Sequence, residues 1–176
     1  MPRTINRLRA AAAGLGLSAV LVVAVTASAE AEGAPEASLA SPIYGVTLPQ
    51  GYRSWELIAP AQEAVPLDEL RVTLGNPTAI EAYREGKLPF PDGTVLVKLA
   101  WKHVPSPEFG PASIPGAATT VQVMVKDAKR YADTGGWGFG RFVNGKPVDR
   151  AQHETCFACH QGLVKDHDYV FTRYAP

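Results

Sequence analysis

"GTVLVKLAWKHV", residues 93–104, decides the fold. In an extended chain Val95, Val97, Leu99 and Trp101 share one face, and Thr94, Leu96, Lys98, Ala100 and Lys102 share the other, which is the period of two expected of a half-buried strand. Working outward, "TTVQVMV" (119–125) alternates Val121, Val123 and Val125 with Gln122 and Met124. "GWGFGRFV" (136–143) alternates Trp137, Phe139 and Arg141 with glycines and Phe142, and ends at Asn144-Gly145, a strong hairpin turn. A further strand fits Leu70–Leu74. Fifteen prolines and sixteen glycines punctuate the chain and break helices. The expected class is mainly β (α+β): an antiparallel sheet with a few short helices. One helix is well marked, with Asn76 as N-cap, Pro77 at the first position, Ile80 and Tyr83 one turn apart and Gly86 as the stop. Lesser helical turns are expected over Lys126–Ala132 and around residues 156–160.

The N-terminus carries Arg3, Arg7 and Arg9, an apolar run from Ala10 to Val25, and Ala27-Ser28-Ala29 as a small-residue cleavage site. That is the pattern of a secretory signal peptide over residues 1–29, since the run is too short to span a membrane. Residues 30–42 read as a flexible lead-in, and residues 43–176 as one domain. Cleavage after Ala29 leaves 147 of 176 residues, enough for one core. Losing three arginines from a chain with 17 basic and 17 acidic residues leaves a formal charge of −3. No basic run remains, so neither nucleic acid nor a membrane surface is an expected partner.

The only two cysteines lie in "HETCFACHQG", residues 153–162. Cys156-x-x-Cys159-His160 is the spacing of a covalent attachment site for haem c, here near the C-terminus. A disulfide across two residues belongs to redox motifs in a βαβ context that this chain lacks, and structural zinc needs four ligands where this site offers three. The proline content argues against a four-helix cytochrome. His160 is the expected iron ligand. For the opposite face the candidates are Met124, which reads as strand packing, and His103, His153 and His167, which read as surface histidines. No methionine follows Cys159, as a small electron carrier would require. The simplest reading is five-coordinate iron with one open position, suited to binding a small molecule.

The blocks "LPQGYRSW", "ELRVTLGNP", "FPDGTVLVKLAW", "VMVKDAKRY", "GGWGFGRF" and "TCFACHQG" resemble, in order and rough spacing, the cytochrome P-460 family, which includes the cytochromes c-prime-beta. The resemblance runs from about Leu48 to Tyr174. It implies a mainly antiparallel β fold, usually a homodimer, with one five-coordinate haem c in the periplasm. Members with the full site oxidise hydroxylamine to nitrous oxide and related nitrogen oxides, and electrons pass to a redox partner such as a small cytochrome c. Others bind nitric oxide or carbon monoxide.

In the oxidising members a lysine in the "DGTVLVK" block is bonded to a haem meso carbon, a position held here by Lys98. Pattern alone places Lys98 on the solvent face of a strand, and only the resemblance puts it at the haem; Lys102, on the same face, is the alternative. By the same resemblance Arg71 supplies charge near the haem. A distal carboxylate comes from the segment before the haem motif, where Glu154 is nearest and Asp149 next, with Ala151 at a position the family fills with the acid.

Overall fold

The computed structural model describes residues 39–175, and the signal peptide, its cleavage site and most of the lead-in fall outside them. Six strands form one sheet in chain order: β1 (Glu56–Glu63), β2 (Glu69–Gly75), β3 (Val95–Pro105), β4 (Ser113–Lys126), β5 (Trp137–Val143) and β6 (Lys146–Pro147). Each pairs antiparallel with the next. Two helices complete it, α1 (Pro77–Arg84) and α2 (Arg150–Val164). Among the described residues no helix is long and apolar enough to cross a membrane.

The expected helix is α1. The Asn76 side chain accepts from Ala79 N, Pro77 follows, and Gly86 takes φ +63° just past the end. The turn expected over Lys126–Ala132 is not helical: Lys126 is the last residue of β4. Asp127 Oδ1 then accepts from Lys129 N and Arg130 N, and only Ala132–Thr134 makes a 3-10 turn.

Both faces of the central strands are covered, which the pattern of β3 does not show. Val97 is wholly buried on one face, Leu96 and Ala100 nearly so on the other. On the second face lie α2, which packs on β5, and the C-terminal segment, where Thr172 Oγ1 meets Thr73 Oγ1 at 3.2 Å and Thr172 O accepts from the Tyr83 hydroxyl. Trp137, Phe90 and Val170 fill the core there.

Residues 41–48 close over β5. Ser41 Oγ donates to Phe139 O, the Tyr44 ring packs edge-on to Phe139, and Val46 comes against Gly140. Ser41 is already buried and hydrogen-bonded ahead of Ile43.

The glycines of β5 mark close approaches. A Cβ on Gly138 would stand 2.2 Å from the Tyr131 ring, whose hydroxyl is fixed by Tyr44 O. Gly138→Ala should therefore cost about 2 kcal/mol by overpacking, read as a lower midpoint in urea unfolding.

Candidate haem site

The haem motif sits on a full helix, where only a short turn was expected. Asp149 caps α2, its carboxylate accepting from Gln152 N, and His153 is locked beneath the first turn with no exposed surface. Arg141 N donates to His153 Nε2, so Nδ1 carries the proton and donates to Asp149 O at 2.8 Å. At about 100° per residue, Cys159 and His160 fall within about 60° of Cys156 around the helix. The two thiols and the imidazole thus share one side. Both cysteines are unpaired thiols in the structure, not a disulfide.

His160 is half-buried between Phe139 and Phe171, each with its ring centre 4.9 Å away. Its Nδ1 lies 2.7 Å from Tyr169 O. A carbonyl can only accept, so the proton is on Nδ1 and the Nε2 lone pair is left for a metal. Burial pushes the imidazole pKa down against the upward pull of the hydrogen bond to Tyr169, and Lys98 adds a smaller push down. The neutral, ligating form is favoured.

Lys98 stands beside this group. In the sheet it pairs with Thr73 on one side and Gln122 on the other, and Arg141 lies one strand beyond Gln122. Burial, reinforced by the Arg71 guanidinium, lowers the Lys98 amine to about 8 against the pull of Glu69, while Arg141 and the Cys159 sulfur act more weakly. The Cys156 thiol is raised by burial and feels Arg141, Cys159 and Lys98. These electrostatic influences link Lys98 with Arg71, Cys156, Cys159 and His160.

Two residues at this site escaped the sequence reading. Arg141 carries a buried Nε with no hydrogen-bond partner. Glu69 is 4% exposed and bonds the Arg71 Nε at 2.9 Å, while its other oxygen accepts from Thr119 Oγ1 at 2.7 Å; Glu63 is Arg71's second carboxylate. Arg71 is thus clamped within the sheet face and is not a surface pair. Glu69→Leu should destabilise the protein by about 3 kcal/mol, because it leaves a largely buried guanidinium short of a partner. Thermal unfolding measures that loss.

Of the other candidates, some lie where the sequence suggests and some do not. Glu154 is exposed and pairs with Arg150 at 3.0 Å, because helix phase turns it about 160° from Cys156. Asp149 is used as the cap, and Ala151 is exposed. Lys102 reaches out to Leu67 O and does not join the site. His153 is a core histidine with both nitrogens engaged. His167 is half-buried, its Nδ1 donating to Val170 O and its ring edge-on to Phe90. His103 lies 3.6 Å from Asp68 at partial exposure. Met124 packs against the core, as its strand position suggests.

These residues fit a haem. Two unpaired thiols and a neutral imidazole on one helix side match the chemistry of attachment and ligation, and the orphaned Arg141 Nε suits an anionic group brought by the cofactor. No match to the chain is found among curated proteins. The family model described as Cytochrome P460 matches residues 49–172, most of the chain and all of the site described above, and on that match the chain belongs to the cytochrome P460 family, whose members are haem proteins.

Proposed function

We propose that the protein is a periplasmic mono-haem c cytochrome that oxidises hydroxylamine to nitrous oxide and related nitrogen oxides. Cys156 and Cys159 hold the haem covalently, His160 Nε2 ligates the iron, and Lys98 Nζ is bonded to the porphyrin edge. The observation that carries this reading is Lys98: a half-buried amine, lowered to about 8, beside two unpaired thiols and a neutral imidazole. A lysine adds to a porphyrin edge only as the free amine, and burial makes that form dominant from about pH 8 upward, well below the range of an ordinary lysine.

When bound, the haem would supply redox-active iron for the oxidation, with Cys156, Cys159 and His160 as the residues that would hold it. Two hydroxylamines give one nitrous oxide, one water, four protons and four electrons. A redox partner such as a small cytochrome c takes the electrons. Arg71, Arg141 and Lys98 keep the pocket cationic or neutral, which favours an uncharged substrate and the release of its protons. Phe139 and Phe171 pack the His160 side against water. The active form is a homodimer.

The test is the absorption spectrum of the ferric and reduced protein, paired with the mass of its haem peptides after proteolysis. A reduced Soret band far to the red of ordinary haem c, with one haem joining the Cys156–Cys159 peptide to the Lys98 peptide, supports the reading. An ordinary five-coordinate spectrum without a lysine adduct overturns it.

One observation favours a second reading. Glu154, the carboxylate expected to take the substrate proton, points to solvent, and Glu69 is tied up by Arg71 and Thr119. A site without a free base suits a c-prime-beta-like protein that captures nitric oxide or carbon monoxide. Hydroxylamine turnover, measured beside gas binding, separates the two.

A further inference from the structure

We propose that Lys126 and Asp168 are positioning residues for His160: their buried ion pair fixes the turn that aims the Tyr169 carbonyl at the His160 Nδ1 proton, and so sets the electron richness of the iron ligand. The inference rests on His160 being that ligand.

The pair is enclosed, with 6% and 9% of the two side chains exposed, and Lys126 Nζ lies 2.8 and 2.9 Å from the Asp168 oxygens. Such a pair contributes little net stability, so its role is sought in what it holds in place. Asp168 and Tyr169 are successive non-glycine residues in the left-handed region, φ 47° and 63°. That conformation is unfavourable for both and persists only where surrounding contacts impose it.

Backbone bonds from Tyr169 N to Val164 O at 2.9 Å and from Val170 N to His167 O at 3.1 Å close the turn, and side chains fix it further. Lys126 binds the Asp168 carboxylate and, with a third donor direction, Gly135 O at 3.0 Å. Phe90 N donates to Asp168 Oδ2 at 2.8 Å. The Tyr169 ring lies on Gly135, so closely that a Cβ there would be 2.2 Å from it.

From this turn Tyr169 O reaches His160 Nδ1 at 2.7 Å. A firm bond from Nδ1–H gives the ring imidazolate character, strengthens its bond to iron and stabilises the oxidised metal. Lys126 itself stacks over Trp137, 5.0 Å from the ring centre, so its position is fixed from the core side as well.

The experiment uses the haem-loaded protein and variants Lys126→Met, Lys126→Arg and Asp168→Asn. The readouts are the iron–histidine stretching band in resonance Raman spectra of the reduced form and the midpoint potential. Lys126→Met and Asp168→Asn are expected to lower the stretching frequency and raise the potential. The shift expected for Lys126→Met is at least the tenfold change in redox equilibrium that a one-electron couple records as about 59 mV. Lys126→Arg, which keeps the charge, should restore most of both signals.

Unchanged band and potential in folded Lys126→Met overturn the proposal. Should Lys126→Met not fold, Asp168→Asn, which keeps an acceptor for Phe90 N, decides by the same criterion. An iron–histidine band in the parent that disappears in His160→Ala upholds the ligand assignment whatever the ion-pair variants show. Its absence from the parent would remove the assignment itself.

Discussion

In a Lys98→Leu parent, which has no second bond to the porphyrin, replacing Cys156 and Cys159 together by serine is expected to give a folded protein that carries no haem after acid denaturation, against one haem per chain for that parent. A thioether needs sulfur, and a serine hydroxyl cannot replace it in that bond. The two thiols sit on the same side of α2 as His160, so the helix presents attachment and ligation together. Neither cysteine is a core residue: Cys159 is exposed and Cys156 only partly buried. Serine and cysteine have nearly the same helix propensity, so the exchange at two positions of a capped helix takes only a small part of domain stability. Circular dichroism should therefore stay near the parent's while covalent haem falls to zero. Haem that survived denaturation of the double variant would place the attachment elsewhere in the chain. His160→Ala separates attachment from ligation, since it should keep the covalent haem and lose the iron–histidine band.

The sequence showed where the strands with clean alternation lie, and why it missed others is physical. β2, β3, β5 and the second half of β4 carry β-branched and aromatic residues at period two, and α1 carries its own caps. β1, "ELIAPAQE", has Pro60 in its middle and a bulge between Leu57 and Ala59 that breaks the alternation. As an edge strand it tolerates both. The start of β4 contains Pro115 and Gly116, which read as loop.

The site was legible where its chemistry is local and hidden where it is assembled by distant chain. Cys156, Cys159 and His160 announce themselves by spacing. Lys98 does not: on β3 alone it looks solvated, while in the fold distant chain lies over that face, with Thr172 of the C-terminal segment bonded to its cross-strand neighbour Thr73. Glu69 and Arg71 are two residues apart and so share a strand face, a signal of pairing that was available. The misplacement of Glu154 follows from treating the motif as a short turn. A helix that starts at Asp149 turns Glu154 away from Cys156 by its 3.6-residue period alone. The Lys126–Asp168 pair, 42 residues apart, leaves no trace in any local pattern.

Lys98→Leu is expected to remove the lysine–haem peptide completely, return the reduced spectrum to that of ordinary five-coordinate haem c, and drop hydroxylamine oxidation to background while haem content stays at the parent level. The fold should tolerate the change, because Lys98 shares its face of β3 with Leu96 and Ala100 and a desolvated amine gives way to a shorter apolar group. Lys98→Arg is the sharper variant. It keeps the cation, but a guanidinium stays protonated at any working pH and offers no free amine, so the adduct should be lost there too. In the wild-type chain, crosslinking should depend on pH in a direction set by the lowered amine. Below about 8 the Lys98 ammonium holds its proton and cannot add, and above it the free amine dominates, so the extent of adduct formed in a fixed time should rise through that value. An ordinary lysine would place the same rise near 10.4. A parent that forms no adduct at any pH, or a Lys98→Leu protein with unchanged spectrum and turnover, leaves Lys98 as a strand residue and the protein as a gas-binding relative.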